Sequence, residues 1–590
     1  MLHYLKDINK NHRLKVIFLS GALLGGIIFL LLFGVHILDV TYVDRMIVRA
    51  GVEDLPQHYL AWEYFRNSAW SFPLGNINNL IYPDSISIVY SDSIPLFAIF
   101  FKLFNPILPT SFQYFGIWTL LCFMLQGAFA SLITYRFSKS NIISLIYSVF
   151  FILSTIVLKR TFYHSALSAH WLILAAFAIW FYKNEFKSKK QVLILFTALN
   201  ALTITIEAYF IPLIFGVMMC CLLQDVIDTK KFKLALATIV SSFVAILATA
   251  WIFGYFTSNI SPATIGLGVF SFNLNGLFNS YGYSAIFPTL PLYVFGQDEG
   301  IAYLGLGIFI LFGFSVIHLI TRLCVACLKK RIKFSKILHF IPWIILLGVF
   351  TFFAVSPEIS YGSKLLFTIH WPTSIFNILS IFRSSGRFIW PVFYAILIFC
   401  IYEFSIFYKT SFNIIKLKSK IKLKSILITI FLMMLLAVQL YDLSPFLKIK
   451  HQIITNDVVY DSPFKSDIWN ELAKTHKYMY IYGPINELYD VYDVKMLSLY
   501  VEKFALDHHQ ILNAAYLSRD ISAEKNIQVS ARFDAMKQGA IYNDYMYIFP
   551  SLCNVPGPGF GLYYYEIDGI IVGVNTPING IEELFGNYQN

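Results

Sequence analysis

In the stretch GVEDLPQHYLAWEYFRNSAWSFPLG, Gly51 to Gly75, the residues able to do chemistry are Glu53, Asp54, Gln57 and His58. Asp54 and His58 stand four positions apart, so a helix opened by Pro56 puts a carboxylate and an imidazole on one face. There the carboxylate can take the proton of a hydroxyl while the ring holds that hydroxyl in position. The competing role is structural, because Asp just ahead of a helix-opening Pro commonly serves as an N-cap. Asp92, in SIVYSDSIPLF, offers a second acid.

Cations recur at the ends of apolar runs. Lys159, Arg160 and His164 share one turn, Arg383 and Arg387 lie four apart in FRSSGRF, and Glu207 interrupts LTITIEAYFIPLIF at a tight turn. An ionisable group within an apolar segment costs a few kcal/mol, so such residues mark sites unless they snorkel to lipid headgroups. If they converge on one face opposite Asp54, Asp92 and His58, acids confront a basic cluster at a bilayer surface. That suits a lipid substrate carrying a phosphate-linked leaving group.

The elements that must position these residues are membrane helices. The 590 residues are 57% hydrophobic, 18% aromatic and 13% charged, with mean hydropathy +0.64. This excludes a soluble protein. The net charge of +11 sits in short runs between apolar segments, the pattern of cytoplasmic loops, which argues against nucleic acid as a partner. Six of the seven cysteines lie in or beside apolar segments and Cys553 stands alone in the polar tail, so no disulfide framework is expected. The Cys324/Cys327 pair lacks the second pair a zinc site needs.

Val16 to Leu38, preceded by Lys6, Lys10, Arg13 and Lys15, reads as an uncleaved first span with a cytoplasmic N-terminus. Further spans are expected at 113–135, 141–158, 166–182, 191–206, 208–223, 234–255, 301–321, 337–355, 389–407 and 425–442, eleven in all. With this count, Lys and Arg favour the inner loops, KKRIKFSK and KLKSKIKLK among them, by roughly three to one. Ser93 to Leu108 is short and broken by Pro95, Lys102 and Pro106, so it reads as a helix at the outer interface. The chain divides into a transmembrane domain, 1–442, with outer loops 39–111 and 256–300, and a polar extracytoplasmic domain, 443–590. In the latter, strand-like runs (KYMYIYG, YMYIFP, LYYYEIDGIIVGV) alternate with helical ones, and NVPGPGFG makes a turn, which predicts an α/β or α+β fold.

The strings HYLAWEYFRNSAWSFPLG, SIVYSDSIPLF, FQYFGIWTLLCFMLQG, AHWLILAA, GQDEGIAYLGLG and RSSGRFIWPVFY resemble those of a bacterial family of polytopic membrane proteins grouped with the GT-C glycosyltransferases. The resemblance covers about residues 15 to 440. It implies a GT-C-like helical fold in the inner membrane, with the tail periplasmic, and a polyprenyl-phosphate-linked sugar as donor. The acceptor would be a glycan, lipid or protein, and a divalent metal is a possible cofactor. It further implies a catalytic acid in the first outer loop, for which Asp54 is matched, with Asp92 as a second acid. Asp39 and Asp44 stand singly where many members of the superfamily carry an acidic pair, so Asp44 is the other candidate. The expected catalytic set is Asp54, His58 and Asp92. The expected substrate-binding set is Gln57, Lys159, Arg160, His164, Glu207, Glu299, Arg383 and Arg387. Two other functions stay open: a non-catalytic scaffold of envelope polysaccharide assembly, and a lipid-linked glycan transporter. The second would need charged helices near mid-membrane, whereas the ionisable residues are expected at one face.

Overall fold

A computed structural model describes all residues except 1, 50, 53, 258–259, 262–265, 330–337, 414–417, 483–491, 516, 518, 520–522, 551, 553–554, 558–560 and 587–590. Glu53, Cys553, most of KKRIKFSK, the start of KLKSKIKLK and half of NVPGPGFG therefore lie outside the described residues. Among the described residues, seven helices are long and apolar enough to cross a bilayer: His12–Phe33, Phe115–Ser138, Ser165–Tyr182, Phe210–Thr229, Phe232–Phe253, Leu306–Leu328 and Ser385–Thr410. An eighth candidate is the pair Ile426–Asp442 and Ser444–Thr455, bent by 60°.

The expected count of eleven differs because three apolar runs form shorter helices: Asn141–Ile152, Lys189–Ile204 and Ile341–Val355. The first has 12 residues and reaches about 18 Å, well short of a hydrocarbon core of about 30 Å. It ends where Ser154 adopts extended backbone and a new helix, Thr155–Arg160, begins.

The chain forms two compact units. The first comprises Met1–Asp39, Tyr114–Leu247 and Ala263–Asn456, and the second Val40–Gln113, Ala248–Pro262 and Asp457–Asn590. In the first unit, the opening helix packs on Phe115–Ser138 through Gly21, Gly25 and Gly127, where an added Cβ would strike the facing backbone or the Ser131 hydroxyl. Small residues at four-residue spacing allow such close approach where no hydrophobic effect drives helices together. Asp442 closes the N-terminus of Leu306–Leu328, accepting from Leu306 N and the Tyr303 hydroxyl, each at 2.8 Å.

In the second unit, a five-stranded sheet runs in the order Ile511–Leu512, Tyr478–Ile481, Tyr545–Phe549, Ile570–Val574, Tyr563–Ile567. The first three strands are parallel and the last two pairings antiparallel. Its core joins Tyr480, Tyr547, Phe549, Tyr564 and Ile571 to Met536. Asp568 accepts from Lys465 N, Ser466 N and Trp469 Nε1, fixing the start of helix Asp467–Thr475. The early loop joins this unit at the sheet edge. Leu80 bridges Leu512 in parallel, and the Tyr64 hydroxyl donates to the carbonyl of Glu502, 438 positions away.

Candidate functional site

In the second unit, helix Leu55–Asn67 forms behind Pro56 and buries an aromatic set, Tyr59, Trp62, Tyr64 and Phe65, together with Gln57 and His58. Asp54 holds the N-cap position, yet it has helical backbone angles (φ −95°, ψ −1°) and its side chain makes no capping bond. The structural role that competed for this carboxylate is thus not the one it performs. Asp92 follows at φ +53°, and Ile94, a β-branched residue, at φ +50°. Left-handed backbone at two such positions stores strain of a kind that gathers at functional loops. The turn is tied to the helix by Ser93 Oγ, which donates to the carbonyl of His58 at 2.7 Å. A ring nitrogen of His58 and a carboxylate oxygen of Asp92 lie within 4.8 Å of each other. These two could supply two ligands to a divalent cation whose remaining positions fall to water or a substrate phosphate. Asp44, the alternative acid, opens the short helix Asp44–Ile47.

Glu63 and Arg66, on the same helix, were not singled out in the sequence. They pair at 3.2 Å, and Arg66 also reaches Asn105 Oδ1 and the carbonyls of Pro109 and Thr110, clamping the far end of the loop. Burial raises the Glu63 carboxyl to about 7, against the opposing pull of Arg66. Lys102, whose ammonium lies over the rings of Phe65 and Trp70, is pushed down to about 8 by burial.

The first unit holds the basic cluster. Three tight elements deliver it: the last turn of Thr155–Arg160, the 3₁₀ turn Phe295–Gly300, and the 3₁₀ turn Ser385–Ile389. Glu299 is its centre. Arg160 Nη1 and Arg387 Nη2 meet Glu299 Oε2 at 2.8 and 2.7 Å, Arg160 Nη2 donates to the Glu299 carbonyl at 2.6 Å, and His164 Nε2 stands 3.9 Å from Oε1. Lys159 pairs with Asp298 at 3.2 Å. Burial alone would raise the Glu299 carboxyl, but the two guanidinium groups hold it well below the usual carboxylate range.

Lys159, Arg160 and Arg387 thus face Asp298 and Glu299. Arg160 is fully buried, and its Nε has no hydrogen-bond partner among the described residues. Lys450, also buried, donates to the carbonyls of Thr161 at 3.0 Å and Lys159 at 3.5 Å, bracing the turn that carries Lys159 and Arg160. Gly386 lets the two 3₁₀ turns meet, since a Cβ there would lie 2.8 Å from Gly300 Cα and 2.9 Å from the Phe270 carbonyl oxygen.

Not every expected residue joins Glu299. Arg383 lies over the Phe270 ring. Glu207 accepts from Tyr209 N and connects with the cluster through Tyr209, whose ring stacks under Arg387. The expectation that ionisable residues keep to one face is also corrected. Glu403, buried in Trp390–Asn413, accepts from Arg322 Nη1 at 2.7 and 2.9 Å and pairs with His318 Nδ1 at 2.8 Å, inside two candidate spans.

Residues 22–444 match the model of a domain of unknown function, DUF6311. The chain belongs to the DUF6311 family. Residues 468–575 match the DUF6311 C-terminal domain, a range that contains all five strands of the sheet. No curated protein matches the chain. Among solved structures, it is similar to the archaeal oligosaccharyltransferase AglB from Archaeoglobus fulgidus in complex with an inhibitory peptide and a dolichol-phosphate. The identity is 11% and the TM-score 0.39, over 97% of this chain and 75% of that one. This likeness is too distant to carry a functional argument.

Proposed function

We propose that this DUF6311 protein is a GT-C-type glycosyltransferase that moves a sugar from a polyprenyl-phosphate donor to a cell-surface acceptor at the outer face of the inner membrane. The observation that carries the reading is the buried Arg160–Glu299–Arg387 constellation with Lys159 beside it. It gathers planar and point cations of the kind suited to a phosphate.

Asp54 takes the proton of the acceptor hydroxyl, which His58 orients. The freed oxygen attacks the anomeric carbon, the bond from that carbon to the donor phosphate breaks, and its electron pair stays on the phosphate oxygen. Arg160 and Arg387 stabilise that charge, with Lys159 assisting and Glu299 holding the guanidinium groups in register. Gln57, His164, Glu207 and Arg383 would contribute to substrate binding, and Asp92 would serve as a second acid or, together with His58, would hold a divalent metal that screens the donor phosphate. The tail would lie in the periplasm.

The test is turnover of labelled polyprenyl-phosphate sugars by membranes containing the protein. Arg387→Lys should cut donor consumption sharply at unchanged protein level, because an ammonium cannot reproduce the bidentate guanidinium. Full turnover in that variant would remove the arginines from the mechanism. A second reading, a lipid-linked glycan transporter, is favoured by the Glu403–Arg322–His318 triad within the spans. Under it the donor would change leaflet with its glycosidic bond intact.

A further inference from the structure

At one end of the first unit, where helices Lys189–Ile204, Phe210–Thr229 and Phe232–Phe253 come together, a cleft of about 350 Å³, counted with its open mouth, lies outside the constellation around Glu299. Its walls follow helical spacing. Lys189 and Val192 come from the first helix, Leu222, Asp225 and Thr229 from the second, and Lys231, Leu234, Ala235 and Thr238 from the third and its approach. The polar end is therefore cationic and the deep end apolar.

Asp225, the carboxylate of this lining, is already neutralised twice. Lys183 Nζ reaches it at 3.1 Å and Lys189 Nζ reaches both its oxygens at 3.2 Å. Lys231 adds a further positive charge, and Lys190, Lys230 and Lys233, neighbours of these lysines in the sequence, are exposed. The first turns of the helices beginning at Lys189 and Phe232 contain no acid, so the positive ends of their dipoles add to the lysines. Beside the cleft, the third helix presents an outward apolar face: Phe232, Leu236, Val240, Phe243, Val244 and Leu247. A cationic notch at the end of a lipid-facing helix, continuous with an apolar stripe, has the chemistry of a phospholipid seat.

We propose that this cleft binds the phosphate of an anionic glycerophospholipid, with Lys189 and Lys231 as its phosphate contacts and the acyl chains lying along the exposed face of Phe232–Phe253. Lys183 is the positioning residue: buried, and bonded to the carbonyl of Cys221 at 3.3 Å as well as to Asp225, it holds that carboxylate so that Lys189 stays at the mouth. The seat is independent of the glycosyltransferase reading.

The probe is phosphatidylglycerol, added to the delipidated full-length protein in detergent and compared with phosphatidylcholine by native mass spectrometry. Wild-type protein should retain phosphatidylglycerol at least about tenfold better than phosphatidylcholine, since a lysine near a lipid phosphate contributes on the order of fivefold in affinity. Lys189→Ala combined with Lys231→Ala should bring the two lipids close to parity, while Lys190→Ala, outside the lining, leaves the preference intact. The Lys189→Arg/Lys231→Arg pair should retain it too, which separates loss of charge from loss of fold. Equal retention of both lipids by wild type, or an unchanged preference in the double Ala variant, would overturn the proposal. Displacement of phosphatidylglycerol by millimolar inorganic phosphate would also overturn it, by showing that the cleft takes free phosphate and not a lipid headgroup.

Discussion

Asp54 shows how much a single side chain decides here. Its place ahead of Pro56 makes capping its ordinary employment, yet its side chain makes no capping bond to the helix it precedes. Glu63, one helical turn beyond His58, has a different consequence. Its buried carboxyl is raised to about 7 from 4.5. A carboxyl whose folded value exceeds its unfolded one contributes stability that is whole below the lower value and lost as pH rises through the upper. The thermal midpoint of the purified protein should therefore fall between about pH 5 and about pH 8, and Glu63→Gln should flatten that slope. An identical slope in the variant would assign the pH dependence to other groups.

At the scale of elements, the meeting of two 3₁₀ turns sets the basic cluster. Gly386→Ala forces a Cβ against Gly300 Cα and the Phe270 carbonyl, and is expected to cost about 1–3 kcal/mol as overpacking does, with loss of activity as Arg387 moves from Glu299. Gly313→Ala, where an added Cβ meets nothing within 4 Å, is the control and should be neutral or slightly stabilising. A thermal midpoint unchanged in Gly386→Ala would show that the turns can separate freely. The helices after Asp54 and Asp92 were legible in the sequence, because Pro56 and Pro95 open them and their apolar runs are too short to span. The candidates Arg160, Glu299 and Arg387 were each visible as charges beside apolar runs. Their union was not, since the pairs lie 139 and 88 positions apart. Lys450 and Glu403 stayed hidden because their partners, Lys159 and Thr161 for the one and His318 and Arg322 for the other, are distant in the sequence and meet them only by folding, while the Glu63–Arg66 pair looks like an ordinary surface pair until the helix is buried. The short helices at Asn141–Ile152 and Ile341–Val355 misled the span count because hydropathy does not register the break at Ser154 or where a run stops short of membrane thickness.

At the scale of the whole molecule, the sidedness inferred from the loop charges is directly testable. A reporter active only outside the cytoplasm should work when fused after Asn590 and fail when fused after Lys420. The reverse pattern would move every proposed site residue to the wrong side of the membrane. The central claim is that this chain transfers a sugar and that Asp54 is the base. It is tested most directly by mass spectrometry of cell-surface glycans from a strain lacking the gene, complemented with wild type, Asp54→Asn or Asp44→Asn. Loss of a general base typically costs about 10²- to 10⁴-fold in rate. The expected result is a glycan short of one sugar in the deletion strain, restored by wild type and by Asp44→Asn but not by an equally abundant Asp54→Asn protein. Glycan profiles identical in all four strains would contradict the account.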